Sequence, residues 1–133
     1  MDTQLEAATI LVVDDDHDTV DTTALILEHT GFRTLSAYDA ETAVKLASVF
    51  YPQVALLDLA MPGCDGFRLA GRLRQLPGMD NAVFICISGY GTAKDRLRSA
   101  EAGFNHHLVK PVHWNELLGL LARTNGAWMV CGP

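Results

Sequence analysis

Short apolar runs alternate along the chain with longer segments in which apolar positions recur at helical spacing. The short runs are bounded by Gly, Pro or acidic residues, which is typical of buried strands in a parallel sheet. In the first longer segment, Val20, Ala24 and Leu27 fall on one helical face. The pattern predicts strands at Thr9–Val13, Arg33–Ala37, Val54–Leu57, Ala82–Ile87 and Asn105–Val109. It predicts helices at 18–30, Tyr38–Phe50, Asp65–Gln75, Thr92–Ala102 and His113–Arg123.

Cap and turn residues support these boundaries. Asp39 and Asp65 are expected to cap the second and third helices, because short polar side chains accept hydrogen bonds from a helix's first turn. Gly31 is expected to end the first helix. Asp16 and Asp18 are predicted to open that helix, facing the positive end of its dipole, rather than to bind metal.

Strict alternation of strands and helices predicts an α/β fold with one doubly wound parallel sheet. Parallel strands need crossover connections, and right-handed crossovers place helices on both faces. The length of 133 residues suggests a single domain. Its core is predicted at residues 9–123, and residues 124–133 form a tail without periodicity, of uncertain structure.

Composition narrows the class of protein. The net charge of -6 argues against nucleic-acid binding, and no apolar run approaches the length of a membrane span. Cys64, Cys86 and Cys131 form no C-x-x-C pair, so neither a disulfide framework nor a zinc site is predicted. Cys86 is expected in the core. A reducing, cytoplasmic location fits this cysteine usage best.

Polar side chains follow four of the predicted strands. Asp14 and Asp15 follow the first, Asp58 the third, Ser88 the fourth and Lys110 the fifth. The carboxyl ends of parallel strands meet at one edge, where α/β sheets bind ligands. Crowded carboxylates need a cation or must take up protons, and oxygen ligands favour Mg²⁺ or Mn²⁺. Such an ion, with the lysine and the hydroxyl, is suited to hold a phosphoryl group.

Four motifs in this order resemble the receiver domain of two-component response regulators. They are VVDDD, LLDLAMPGCDG, ISGYG and HLVKP, and the resemblance extends from about Ile10 to Leu121. It implies a flavodoxin-like sheet with strand order 2-1-3-4-5.

The resemblance also implies roles for single residues. Asp58 would accept a phosphoryl group from the phosphohistidine of a cognate histidine kinase or phosphotransfer protein. Asp15 would bind Mg²⁺ directly, and Asp14 directly or through water. Asp58 and the backbone carbonyl of Ala60 would complete the metal ligands. Ser88 would be the switch hydroxyl. The domain would catalyse its own phosphorylation and a slow dephosphorylation.

Further expectations concern the fifth strand and the output. Lys110 would pair with the phosphoryl group or with Asp58, and Pro111 would follow a cis bond. The resemblance places a Tyr or Phe where this chain has His107, so coupling from the site to the surface would differ or be absent. Output would pass through the helix 4–strand 5–helix 5 face to an output domain or a partner protein. Because Ala60 cannot orient a hydrolytic water, we expect the phosphoryl group on Asp58 to be relatively long-lived.

Two alternatives remain open from the residues alone. Asp14-x-Asp16 after the first strand fits a phosphatase of the haloacid dehalogenase type, although Asp58 would then have no role. His107 leaves open a receiver-like interaction module that never carries phosphate. His106 and His107 are not expected to share a metal, since neighbouring side chains on a strand point to opposite faces. The chain is either a stand-alone domain or part of a larger protein.

Overall fold

The computed structural model describes residues 8–59, 61, 65–89 and 91–131, with side chains described as far as Arg123. The strands are β1 (Thr9–Val13), β2 (Arg33–Ala37), β3 (Val54–Asp58), β4 (Val83–Ser88) and β5 (His106–Val109). The helices are α1 (His17–His29), α2 (Ala40–Phe50), α3 (Gly66–Arg74), α4 (Ala93–Glu101) and α5 (Trp114–Cys131).

The strands form one parallel sheet in the order β2-β1-β3-β4-β5. This order confirms the predicted doubly wound α/β fold. The register places Val13 beside Leu57, Asp58 beside Ile87 and Ser88 beside Val109. All strands therefore end at the same edge of the sheet.

Two apolar layers cover the two faces of the sheet. Ala55 and Leu57 of β3 pack into the layer beneath α2 and α3, whereas Val54 and Leu56 pack into the layer beneath α1 and α5. Every residue of β3 is buried. A strand with both faces covered can be apolar throughout, which explains the unbroken run that precedes Asp58.

The caps mostly follow the sequence predictions. The Asp39 carboxylate accepts a hydrogen bond from the Thr42 N–H at 2.7 Å, and Asp65 accepts one from the Phe67 N–H at 2.9 Å. Gly31 has φ 107, the left-handed conformation expected just after a helix.

Two boundary predictions need correction. Ser88 belongs to β4 itself, because its carbonyl accepts a hydrogen bond from the Lys110 N–H at 2.7 Å. The last helix, predicted to end at Arg123, continues to Cys131. A helix can be extended by one backbone hydrogen bond per added residue, without an amphipathic stripe. The apolar periodicity therefore underestimated the length of this helix. Within the described part of the chain, no helix is both long and apolar enough to cross a membrane.

Arg74, at the end of α3, joins the amino-terminal ends of β4 and β5. Its guanidinium donates to the carbonyls of Ala82 at 2.6 Å and Gly103 at 2.8 Å. It also donates to Asn105 Oδ1 at 3.0 Å, and this oxygen accepts from the Phe84 N–H at 2.7 Å. Burial lowers the pKa of Arg74. These contacts help hold the register that brings the far ends of β4 and β5 together.

Candidate functional site

Four predicted site residues lie at the carboxyl edge of the sheet. Asp14 directly follows β1, Asp58 ends β3, Ser88 ends β4 and Lys110 directly follows β5. Asp14, Asp58 and Ser88 are 7%, 4% and 6% exposed. Polar groups are rarely buried in this way without partners, so their partners define the site.

Three carboxylates form the centre of the site. Asp14, Asp15 and Asp58 each offer an oxygen, and these oxygens lie within 4.8 Å of one another. Like charges about 4 Å apart repel by roughly 4 kcal/mol at an effective dielectric near 20. A hard divalent cation relieves this repulsion, and carboxylate oxygens are the ligands that Mg²⁺ and Mn²⁺ prefer. The residues therefore fit such an ion.

Asp14 carries the electrostatic cost of this crowding. Burial, with a hydrogen bond to Asp58 and the charge of Asp58, raises the pKa of Asp14 to about 7. A hydrogen bond from the Asp16 N–H to Asp14 Oδ1, at 3.1 Å, acts in the opposite direction. Near neutral pH and without a cation, the cluster therefore holds a proton part of the time.

Lys110 neutralises the buried Asp58. Its Nζ lies 3.1 Å from Asp58 Oδ2, and its side chain is 42% exposed. The ammonium can thus contact both the carboxylate and a group that approaches from solvent. The Lys110–Pro111 peptide bond is cis, the geometry that the resemblance implies.

Strand pairing places Ser88 at the same edge of the sheet as this ion pair. The β3–β4 ladder continues one step past Asp58, where the Leu59 N–H donates to the Ile87 carbonyl at 3.1 Å. Ser88 is the next residue of β4 and pairs with Val109 in register. The hydroxyl therefore lies at the same edge as the carboxylates.

Sequence reasoning missed Gly66, the first residue of α3. A Cβ atom at this position would lie 2.7 Å from Leu59 Cδ2, 2.9 Å from Leu59 Cα and 3.3 Å from the Asp58 carbonyl oxygen. Only glycine lets α3 approach the end of β3 this closely. A glycine directly after a predicted cap, Asp65, was the available signal.

Other predicted residues lie elsewhere. His17 stacks on Tyr38 with ring centroids 3.8 Å apart and is not a member of the carboxylate cluster. His107 faces α4 and not the site, with its Nδ1 3.0 Å from Ser99 Oγ. Ala60, together with Cys64 and Tyr90, is outside the described residues. Cys86 is buried, as predicted.

A cavity of about 640 Å³ opens between α1 and α5 beside the site. Asp14 and Lys110 line one end, and the rest of the lining includes Thr23, Trp114 and Leu117. Its volume is within the range of small-molecule pockets. A group of side-chain size can therefore approach Lys110 from this direction.

A family model for the response regulator receiver domain matches residues 10–122. An uncharacterized 14.6 kDa protein of Leptolyngbya boryana is 40% identical over 112 residues, which cover 84% of this chain and 86% of that protein. The transcriptional regulatory protein PrrA of Mycobacterium leprae is 36% identical over 96% of this chain, which spans only 55% of PrrA.

A solved receiver structure shares the fold of this chain. A CheY-like receiver domain protein from Methanospirillum hungatei superposes with a TM-score of 0.82 at 26% identity, covering 91% of this chain and 95% of that one. The family match covers four strands completely and all but the first residue of β1, and the carboxylate cluster lies at the edge where the strands end. The chain therefore belongs to the response regulator receiver domain family of two-component signalling.

Proposed function

We propose that this chain accepts a phosphoryl group on Asp58 from the phosphohistidine of a histidine kinase or phosphotransfer protein. The observation that carries the proposal is the position of Asp58. It is buried at the sheet edge, 3.1 Å from the Lys110 ammonium, and its carboxylate clusters with those of Asp14 and Asp15. A buried carboxylate with one cation and a metal-binding pair beside it is suited to phosphoryl transfer.

In this reaction an Asp58 oxygen attacks phosphorus and the bond between phosphorus and the donor's imidazole nitrogen breaks. The imidazole leaves neutral, because its other ring nitrogen carries a proton taken from water. Asp15 and Asp14 would hold Mg²⁺ or Mn²⁺, with Asp58 and the Ala60 carbonyl as further ligands. The ion supplies charge neutralisation for the transferring phosphoryl oxygens. Lys110 exchanges part of its contact with Asp58 for a phosphoryl oxygen. The Ser88 hydroxyl donates to another.

The cavity between α1 and α5 supports an approach of the phosphohistidine from this side of the sheet edge, because its open space lies against Lys110 and Asp14. Phosphorylation would then change the face formed by α4, β5 and α5, which would bind an output domain or partner.

A cytoplasmic location and a single receiver domain with its core at residues 9–123 also stay predictions.

The test is phosphoryl labelling of the intact chain with acetyl phosphate and Mg²⁺, followed by mass spectrometry. We expect labelling of the wild type and of Asp80→Asn, an exposed acid that precedes β4. Asp58→Asn should abolish labelling. Labelling that persists in Asp58→Asn and disappears only in Asp14→Asn would instead favour the aspartate-nucleophile phosphatase.

The inert interaction module is distinguished by a second measurement. Beryllium fluoride mimics a phosphoryl group on a carboxylate, and its binding should require both Mg²⁺ and Asp58. If the wild type fails to bind it in the presence of saturating Mg²⁺, the phosphoacceptor proposal is wrong and the inert module is favoured.

A further inference from the structure

The fifth strand is fastened to α4 by a hydrogen bond between two side chains. His107 Nδ1 lies 3.0 Å from Ser99 Oγ, and Ser99 is only 2% exposed although it lies on a surface helix. The Arg96 guanidinium supports the same junction by donating to the His107 carbonyl at 3.3 Å and to the Gly91 carbonyl at 3.2 Å. A hydrogen bond between two polar side chains therefore joins α4 to β5 at this junction.

The direction of this hydrogen bond follows from the hydroxyl. A serine hydroxyl has one hydrogen, and Ser99 Oγ donates it to the Arg96 carbonyl at 2.9 Å. With the Ser99 hydrogen directed to the Arg96 carbonyl, the hydrogen between Ser99 and His107 lies on Nδ1, so the imidazole donates and the hydroxyl accepts. The Cys86 thiol, which is buried and pairs with His107 in register, also contacts Ser99.

Both halves of this contact are connected by short segments to the candidate phosphorylation site. Ser88 precedes α4 along the chain, and Lys110 follows the strand that carries His107. The Lys110 N–H also donates to the Ser88 carbonyl at 2.7 Å. A displacement of Ser88 or Lys110 toward a phosphoryl group therefore changes the relative position of α4 and β5.

We propose that the hydrogen bond between His107 and Ser99 is a latch that holds α4 against β5 in the unphosphorylated domain and opens on phosphorylation. This proposal rests on the proposed function. A hydrogen bond is directional, so it opposes small shifts that an apolar ring at the same position would tolerate. Ser99 is in this sense a positioning residue, acting on the site through His107.

The first test is nitrogen NMR of the His107 imidazole, which distinguishes its two neutral tautomers. We expect the Nδ1–H tautomer in the wild type and its loss in Ser99→Ala. Addition of beryllium fluoride with Mg²⁺ should also shift the wild type away from this tautomer. A tautomer distribution that is the same in wild type and Ser99→Ala, or that beryllium fluoride leaves unchanged, would overturn the proposal.

The second test is the affinity for beryllium fluoride at fixed Mg²⁺. Opening the latch costs one hydrogen bond, so Ser99→Ala should bind the mimic about fivefold tighter than wild type. Ser48→Ala is the matched control, since Ser48 Oγ makes the same helical contact, to the Lys45 carbonyl at 2.8 Å, on an exposed position. Its affinity should equal that of the wild type.

A double-mutant cycle separates the latch from a general packing effect. In a His107→Phe background the latch is absent, so Ser99→Ala should no longer change the affinity for the mimic. An equal effect of Ser99→Ala in both backgrounds would refute the latch but not the proposed function. Failure of every variant, wild type included, to bind the mimic would refute the proposed function and the latch with it.

Discussion

At the scale of single residues, the site depends on how two buried carboxylates are neutralised. Asp58 has the Lys110 ammonium at 3.1 Å, whereas Asp14 has only a backbone N–H, from Asp16, as a described hydrogen-bond donor. This difference explains why burial raises the pKa of Asp14 to about 7. Asp14 is therefore the group through which pH and metal binding affect the site.

Asp14 should make the stability of the metal-free domain depend on pH. Its folded pKa of about 7 lies above the ordinary value of 3.8, so the folded state binds the proton more tightly than the unfolded state. The stabilisation is complete below pH 3.8 and is lost as pH rises through about 7. Relative to Asp14→Asn, wild type should lose on the order of 2 kcal/mol of unfolding free energy over this window.

Urea unfolding at a series of pH values measures this effect. Asp16→Asn is the control, because Asp16 is an exposed acid two positions away whose side chain makes no cap hydrogen bond to α1. Its pH dependence should follow the wild type. Parallel curves for wild type and Asp14→Asn would contradict the raised pKa.

Lys110 should be needed to hold a phosphoryl group rather than to fold the domain. Lys110→Gln removes the ammonium and keeps a hydrogen-bond donor on a side chain that is one bond shorter. We expect beryllium fluoride to bind about tenfold more weakly, the usual worth of a charge-assisted hydrogen bond. Isothermal titration with Mg²⁺ present measures this change, and Lys94→Gln on exposed α4 should leave the affinity unaltered. Equal affinities for the two variants would exclude the role proposed for Lys110.

At the scale of elements, the site is positioned by contacts between α3 and the strands, made by residues that take no part in the chemistry. Gly66 lets α3 begin directly against the end of β3. Arg74, at the other end of the same helix, ties together the starts of β4 and β5. One short helix thus constrains three strands that deliver site residues.

Gly66→Ala should destabilise the domain. The added Cβ would meet Leu59 Cδ2 at 2.7 Å and Leu59 Cα at 2.9 Å, so backbone must move. Overpacking of this kind costs about 1–3 kcal/mol. Gly71→Ala on the same helix meets nothing within 4 Å and should be neutral or stabilising by up to about 1 kcal/mol. Thermal unfolding of both variants tests the pair, and similar melting temperatures would argue against the close approach.

Arg74→Met should lower the unfolding free energy by about 2–4 kcal/mol. It leaves the partly buried Ala82 and Gly103 carbonyls without their charged donor, and an unsatisfied group costs up to about 1–3 kcal/mol when it is fully buried. The matched control is Arg72→Met, which removes an exposed ion pair to Glu41 at 2.9 Å. Exposed pairs contribute at most about 1 kcal/mol. Chemical denaturation compares them, and a loss as large in Arg72→Met would mean that Arg74 has no special role.

At the scale of the whole molecule, the fold collects negative charge at one edge of its sheet. The net charge is -6, and three carboxylates of the described chain converge there with oxygens within 4.8 Å. An ion bound only by the folded state stabilises it by mass action. The sheet edge therefore links metal binding to global stability.

Mg²⁺ should accordingly raise the melting temperature of wild type. At about 100 times its dissociation constant, the ion would add about 2.7 kcal/mol of unfolding free energy. Asp15→Asn removes an exposed ligand with little effect on the metal-free fold, so its melting temperature should respond much less. Melting curves at increasing Mg²⁺, at constant ionic strength, measure the response. An equal response in the two proteins would place the ion elsewhere.

The alternation of apolar runs and amphipathic segments was enough to predict the elements, the parallel sheet and the edge at which Asp14, Asp58, Ser88 and Lys110 lie. These features depend on local periodicity and on the rule that parallel strands end at a common edge. The strand order came from the family resemblance, and the structure confirms it.

What only the tertiary structure decided are the contacts between segments far apart in sequence. The need for glycine at position 66, the guanidinium contacts of Arg74 and the pairing of His107 with Ser99 leave no periodic signal. The raised pKa of Asp14 likewise depends on burial and on Asp58, which joins it through the fold. Periodicity records which face of an element is buried, whereas distances between side chains are set only when the elements pack together.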